Sequence, residues 1–225
     1  MRCVVDKLEP ACLKVPFYMQ RYEFTCGPAS LMMAMKHHDS GFRLSTENEI
    51  DIWRESALAP LPPTIRHGLA FSALSRGFGV SILTNVKGVE YINKSALSSP
   101  LRKIGYEWLM DLALGMARER KSRALALGLK ERVRNDIGIG DVRRMLAVGG
   151  VPIFLTSAKA LDKKDEDWAH WAVITGIDDE KIWINNPALR KGRMALSIND
   201  FIEANGYHGD VVLISISKRA IGRKR

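Results

Sequence analysis

Apolar residues change their period along this chain, and the changes mark out its elements. Ala29 to His38 (ASLMMAMKHH) is apolar on nearly every face, which predicts a helix buried on all sides. Gly27 and Pro28 punctuate its start, and Pro suits a first helical turn, where its missing N–H is no loss. A second helix is expected from Ser45, with Ser45 as cap and Glu47 and Glu49 in the first turn. It should run through Trp53 and Arg54 until Leu61-Pro62-Pro63 breaks it. Ile65 to Gly77 predicts a third helix, and Asp141 to Val148 another, closed by Gly149-Gly150.

Elsewhere the runs shorten and become β-rich. Val80–Leu83, Val151–Thr156 and Val211–Ser217 are expected strands, with Leu13–Phe17 a short one near the start. Trp168 to Gly176 reads as a strand opening at His170, Ile177 to Glu180 as a turn, and Lys181 to Asn185 as the returning strand. Asn186-Pro187 ends it, because Pro cannot donate to a ladder. Helices first and mostly antiparallel strands later predict an α+β fold.

Composition permits a full core: 225 residues, 46% of them hydrophobic. One domain over 1–217 is the economical division, with a helical, basic insertion at about 87–140 and a basic tail, 218–225, expected to be disordered. No run approaches the roughly 18–20 apolar residues of a membrane span, and the N-terminal segment lacks the apolar core of a signal peptide. Three cysteines, an odd number, argue against a disulfide framework and suit a reducing cytoplasm.

Charge adds a second signal, since 34 Lys and Arg face 25 Asp and Glu, a formal +9. Arg118 to Arg134 alone holds seven basic and two acidic residues. Such a run is either a solvated face with internal ion pairs or a wall that attracts an acidic substrate or polyanion. Nucleic acid is not the expected partner. No aromatic residue interrupts the run, and no zinc or phosphate-loop pattern occurs.

Reactive chemistry concentrates at Gln20-Arg21-Tyr22-Glu23-Phe24-Thr25-Cys26-Gly27-Pro28-Ala29, which sets a thiol at a loop-to-helix junction. A thiol attacks as thiolate, and its free pKa near ~8.5 falls at a helix N-terminus or beside an imidazole. His170 is the candidate base. With Asp178 to Glu180 as a three-residue loop, Ile177 pairs with Lys181 and Asn186 falls opposite Ala172. Asn186 then lies diagonal to His170 on one face, at roughly 7–8 Å between backbones. A one-residue slip would send the two side chains to opposite faces.

Taken singly, each residue has a plainer reading. A cysteine in an apolar helix is usually a small buried hydrophobe, a histidine between two tryptophans a core residue, and Asn before Pro a turn former. The joint pattern, in order and spacing, is what points to nucleophilic catalysis. Cys3 and Cys12 match no metal spacing and read as structural thiols.

Gln20, Cys26-Gly27-Pro28-Ala29, His170 and Asn186-Pro187 resemble the pattern of papain-fold peptidases related to the double-glycine leader peptidases of bacteriocin exporters, cysteine peptidase family 39 and its stand-alone relatives. The likeness covers about 13–40 and 140–190 well and the middle in outline. It implies a papain-like fold in which the helix carrying Cys packs on a mostly antiparallel sheet carrying His and Asn. By position it makes Cys26 the nucleophile, His170 base and then acid, Asn186 the orienter of the imidazole, and Gln20 a donor to the oxyanion. The chemistry it implies is peptide or amide cleavage through a thioester, with no metal or organic cofactor and with a peptide or protein as substrate; the basic run would suit an acidic one. Acyl or peptidyl transfer and deamidation would use the same residues. The contrasting reading is a non-catalytic basic module that binds peptide or nucleic acid.

Overall fold

The buried helix of the sequence is α1 (Cys26–His38), and every residue from Cys26 to Met35 is buried. A computed structural model of the chain describes residues 11–59, 61–89, 92, 107–162, 168–190, 192–205 and 211–218. After α1 come α2 (Thr46–Ser56), β2 (Ala57–Leu58), β3 (Leu61–Thr64), α3 (Arg66–Ser75) and β4 (Phe78–Thr84), with β1 (Ala11–Cys12) preceding them all. Then follow α4 (Glu107–Ala126), β5 (Lys130–Val133), α5 (Ile139–Ala147), β6 (Val151–Ser157) and α6 (Ala158–Asp162). The chain closes with β7 (Ala169–Ile177), β8 (Lys181–Asn185), β9 (Arg193–Ser197), α7 (Ile198–Asn205) and β10 (Val212–Lys218).

One mixed sheet organises the fold, in the order β5-β4-β10-β6-β7-β8-β9, with β1 added beside β7. Its pairs are antiparallel except β4 with β5. Alternate residues of the central strands face two separate cores. Val151, Ile153, Trp171, Val173, Ile214 and Ile216 meet the apolar surface of α1 and α3. Phe154, Ala172, Ile174 and Leu213 meet Val142 and Leu146 of α5, Leu161 of α6 and Phe201 of α7 on the other side. The result is an α+β architecture with helices on both faces of a mostly antiparallel sheet. No helix among the described residues is long and apolar enough to cross a membrane.

Several local expectations need correction. The strand foreseen at Leu13–Phe17 lies earlier, at β1. Leu13 N–H still reaches Thr175 O at 2.7 Å, but Pro16 has no N–H to continue a ladder. Helix α2 ends at Ser56, before the Leu61-Pro62-Pro63 breaker, which instead lies in β3, a strand of a two-stranded sheet with β2. The basic run is not one helix. Gly128, at φ 95°, stops α4, and Lys130–Val133 becomes the edge strand β5. Four of its cations are engaged locally: Arg120 and Arg123 with Glu119, Lys121 with Glu131, and Arg134 with Asp136 and Asp141. That pairing leaves less charge for a polyanion than the composition suggests. Lys218, assigned to the tail, closes β10, while Cys3 and the rest of the tail lie outside the described residues.

The hairpin carrying His170 also departs from the expected register and then returns to it. Asp178 Oδ1 accepts the N–H groups of Glu180 and Lys181 at 2.8 and 2.7 Å, drawing Lys181 into the turn. Ile177 therefore pairs with Ile182 rather than Lys181. A bulge between Ile174 and Gly176 absorbs the offset, so that Val173 pairs with Asn185. Continuing that register one step beyond β8 sets Asn186 opposite Ala172, where the simpler hairpin also puts it.

Candidate functional site

Cys26 opens α1 at the end of a short loop that is tied down from within. Glu49 of α2 is fully buried, and it accepts hydrogen bonds from Tyr18 Oη at 2.8 Å and from the Arg21 N–H at 2.9 Å. The Thr25 hydroxyl lies against the same carboxylate. Thr25 thus makes no side-chain cap on α1, and the first N–H groups of the helix have no intrahelical acceptor. Helix α1 sits on β7, with Ser30 Oγ donating to Trp171 O at 3.1 Å. Gly27 makes this approach possible, because a Cβ there would lie 2.3 Å from Thr64 Oγ1 and 3.1 Å from Trp171 Cδ1.

The histidine arrives from the first residues of β7. His170 is buried, and its Nε2 lies 2.9 Å from Asn186 Oδ1. Ala188 N–H donates to that same oxygen at 3.0 Å. A backbone N–H is always a donor, so the Asn186 atom facing it must be the oxygen. Nε2 of His170 therefore carries a proton, and in the neutral ring Nδ1 is the acceptor. Asn186 itself is fixed by the loop after β8: its N–H donates to Gly192 O at 2.9 Å, and Gly192 leaves room for the Phe17 ring, which a Cβ would strike at 2.0 Å.

Electrostatics at the sulfur lower the thiol's pKa. Burial pushes the Cys26 thiol up, but the neighbouring His170, through its charge and a side-chain hydrogen bond, pulls the other way. The N–H groups of Trp171 and Gly27 add to that pull, and the thiol ends below its ordinary value. The structure thus brings Cys26, His170 and Asn186 into one chain of contacts.

Gln20 stands in the same loop, with a different set of partners from the one foreseen. Its Nε2 donates to Tyr22 O at 2.9 Å and Glu23 O at 3.1 Å, while Oε1 is buried without a partner. Its backbone N–H donates to Pro187 O at 2.9 Å, joining the loop before Cys26 to the turn after Asn186. Cys12 is exposed on β1, and Arg193 Nη2 donates to its sulfur at 3.4 Å, so it stands apart from this cluster. Among the described residues no group of three or more His, Cys, Asp or Glu is arranged to hold a metal ion.

Sequence reasoning missed Glu49. It was read as a first-turn acid suited to the helix dipole, yet its carboxylate sets the shape of the Gln20–Cys26 loop. A signal existed: Glu49 stands one helical turn before Ile52 on the buried stripe of α2, so an acid lay on the face that packs inward.

No curated protein matches the chain. A crystal structure from Bacillus anthracis, of a protein described as a C39-like peptidase, superimposes with a TM-score of 0.54 at 15% identity, covering 94% of this chain and 99% of the other. That likeness concerns the fold. A family profile described as Peptidase_C39 like family matches residues 15–202. The chain belongs to the Peptidase_C39 like family.

Proposed function

We propose that this protein is a cysteine peptidase or amidase that cleaves a peptide or protein substrate through a thioester on Cys26. The observation that carries this reading is that His170 has two partners: Asn186 Oδ1 lies 2.9 Å from its Nε2, and its imidazole lowers the pKa of the Cys26 thiol. His170 Nδ1 takes the thiol proton, and the sulfur attacks the scissile carbonyl carbon. The carbonyl π electrons move onto oxygen. When they return, the C–N bond breaks and the imidazolium proton goes to the leaving amine. Water, deprotonated by the same nitrogen, then attacks the thioester and releases the acid and the free thiol. Asn186 holds the ring in the tautomer this sequence needs.

The oxyanion is met by the Cys26 N–H and by the Gln20 amide. Gln20 gives its N–H groups to Tyr22 and Glu23 in the unliganded loop, so one of them turns toward the substrate oxygen as it becomes charged. Removing one such donor commonly costs roughly 2.7–4 kcal/mol of barrier. A reducing cytoplasm suits a free thiol in this role, and residues 1–217 form the catalytic unit in this reading.

Intact-mass labelling with iodoacetamide across pH tests the proposal. Cys26 should alkylate below the pH at which an ordinary thiol does, and selectively over Cys12. His170→Ala should move its profile upward, because burial is then opposed only by the Trp171 and Gly27 N–H groups. A Cys26 that labels like Cys12, or whose profile ignores His170→Ala, would remove the thiolate mechanism.

A further inference from the structure

Three aromatic rings form a row beside the nucleophile that the chemistry above does not use. Tyr22 and Phe24 stack with centroids 5.7 Å apart and 19° between planes. Phe24 then meets Trp53 of α2 at 5.1 Å and 52°. Tyr22 is 43% exposed and Phe24 37%, so these rings leave apolar surface in water although they have neighbours to stack on.

The row is held rigidly. Arg21 N–H is bound by Glu49, Gln20 Nε2 binds the carbonyls of Tyr22 and Glu23, and Trp53 Nε1 donates to Pro62 O at 2.9 Å. Rings already fixed in place lose little freedom when something packs on them. The row is also continuous with the candidate site. Phe24 precedes Cys26 by two residues, and Pro62 belongs to β3, whose Thr64 abuts Gly27 and accepts from Trp171 Nε1 through its carbonyl. Of the nearby charges, the Arg21 guanidinium lies over the Tyr18 ring, 5.9 Å from its centroid, Arg54 pairs with Asp51 at 3.3 Å, and Glu23 is exposed between two of the rings. The ring faces themselves favour an apolar side chain, and the Glu23 carboxylate disfavours an acidic one.

We infer that Tyr22, Phe24 and Trp53 form a substrate subsite selecting peptides with an aromatic or large aliphatic side chain close to the scissile bond. This inference rests on the peptidase reading. A glycine at that position would leave the rings uncovered.

A proteome-derived peptide mixture digested by the wild-type protein and read by mass spectrometry gives the side-chain preference on both sides of the cut. Phe, Tyr, Trp, Leu or Met should be enriched at one position near the cut, by roughly tenfold or more over Gly. Phe24→Ala and Trp53→Ala should flatten that preference while leaving iodoacetamide labelling of Cys26 unchanged. Cleavage with no such enrichment, or enrichment that survives both variants, overturns the inference while the peptidase reading stands. If the wild type cuts nothing, the peptidase reading fails separately, and the subsite is read by binding alone. In Cys26→Ala, acetyl-Gly-Phe-Gly amide should shift the Trp53 indole N–H resonance in NMR spectra, and acetyl-Gly-Gly-Gly amide should not. Equal responses to the two peptides overturn the inference.

Discussion

Asn186 and His170 meet through one oxygen that also accepts the Ala188 N–H, so the amide cannot flip without setting N–H against N–H. This makes the imidazole tautomer a property of the turn after β8. Asn186→Ala should leave the thiol and base in place but free the ring to rotate. Loss of one hydrogen bond of this kind is worth about 1 kcal/mol, so turnover should fall roughly fivefold. A pH–rate profile should broaden as well, because both tautomers become accessible; an unchanged profile would deny Asn186 its orienting role.

Gln20→Ala should act on the chemical step. The expected loss is roughly 100- to 1,000-fold in kcat with little change in KM, measured by single-turnover acylation with a peptide taken from the digest. If KM rises while kcat holds, Gln20 serves binding and the oxyanion donor lies elsewhere.

Glu49→Ala removes the acceptor for Tyr18 Oη and Arg21 N–H, and the carboxylate beside Thr25. Each buried donor left unpaired costs about 1–3 kcal/mol, so urea unfolding should register a loss of several kcal/mol. The same contact accounts for Tyr18, whose hydroxyl is held above its ordinary pKa by burial and then by the Glu49 carboxylate. Where Glu49→Ala still folds, alkylation of Cys26 should slow, because the loop that presents it has lost its tie.

Acid should weaken the fold in two stages, both centred on Glu131. His67 is buried, which holds its imidazole below the ordinary 6.5 despite its bond to Glu131 at 2.8 Å. Arg66 and Lys121 also face it and oppose a further positive charge. The folded state thus binds this proton less readily than the unfolded chain, so stability is full above pH 6.5 and falls below it. Burial works to raise the Glu131 carboxyl, but His67 and Lys121 outweigh it and hold the pKa at about 2 rather than 4.5. That contribution is present above pH 4.5 and is lost as pH falls toward 2. Urea midpoints against pH should show both stages. His67→Gln should remove the first and Glu131→Gln the second.

Legibility varied with how local the cause was. Helix α1 and the ends of α3 and α5 were readable because apolar runs, Gly77 and Gly149 act on their immediate neighbours, and both glycines have positive φ, 84° and 73°. The meeting of His170 and Asn186 was legible from the alternation of one hairpin, though through a register whose turn was one residue short. The offset and the bulge that cancels it depend on Asp178 capturing two N–H groups, which hydrophobic alternation does not reveal. Strands β5 and β9 went unread because both are edge strands with charged or mixed sequences, Lys130–Val133 and Arg193–Ser197, lacking the apolar run of a central strand. The partners of Gln20 are likewise set by a loop conformation that Glu49 imposes from another helix.

The hydrogen bond from Gln20 N–H to Pro187 O has a consequence for biogenesis. It couples a loop translated early to a turn translated late, with most of the sheet in between. While the ribosome is still making the middle of the chain, the cysteine has neither its imidazole nor the carbonyl that anchors its loop. On the proposed reading the nascent protein is thus chemically quiet, and activity should arise only once the β7–β8 hairpin docks.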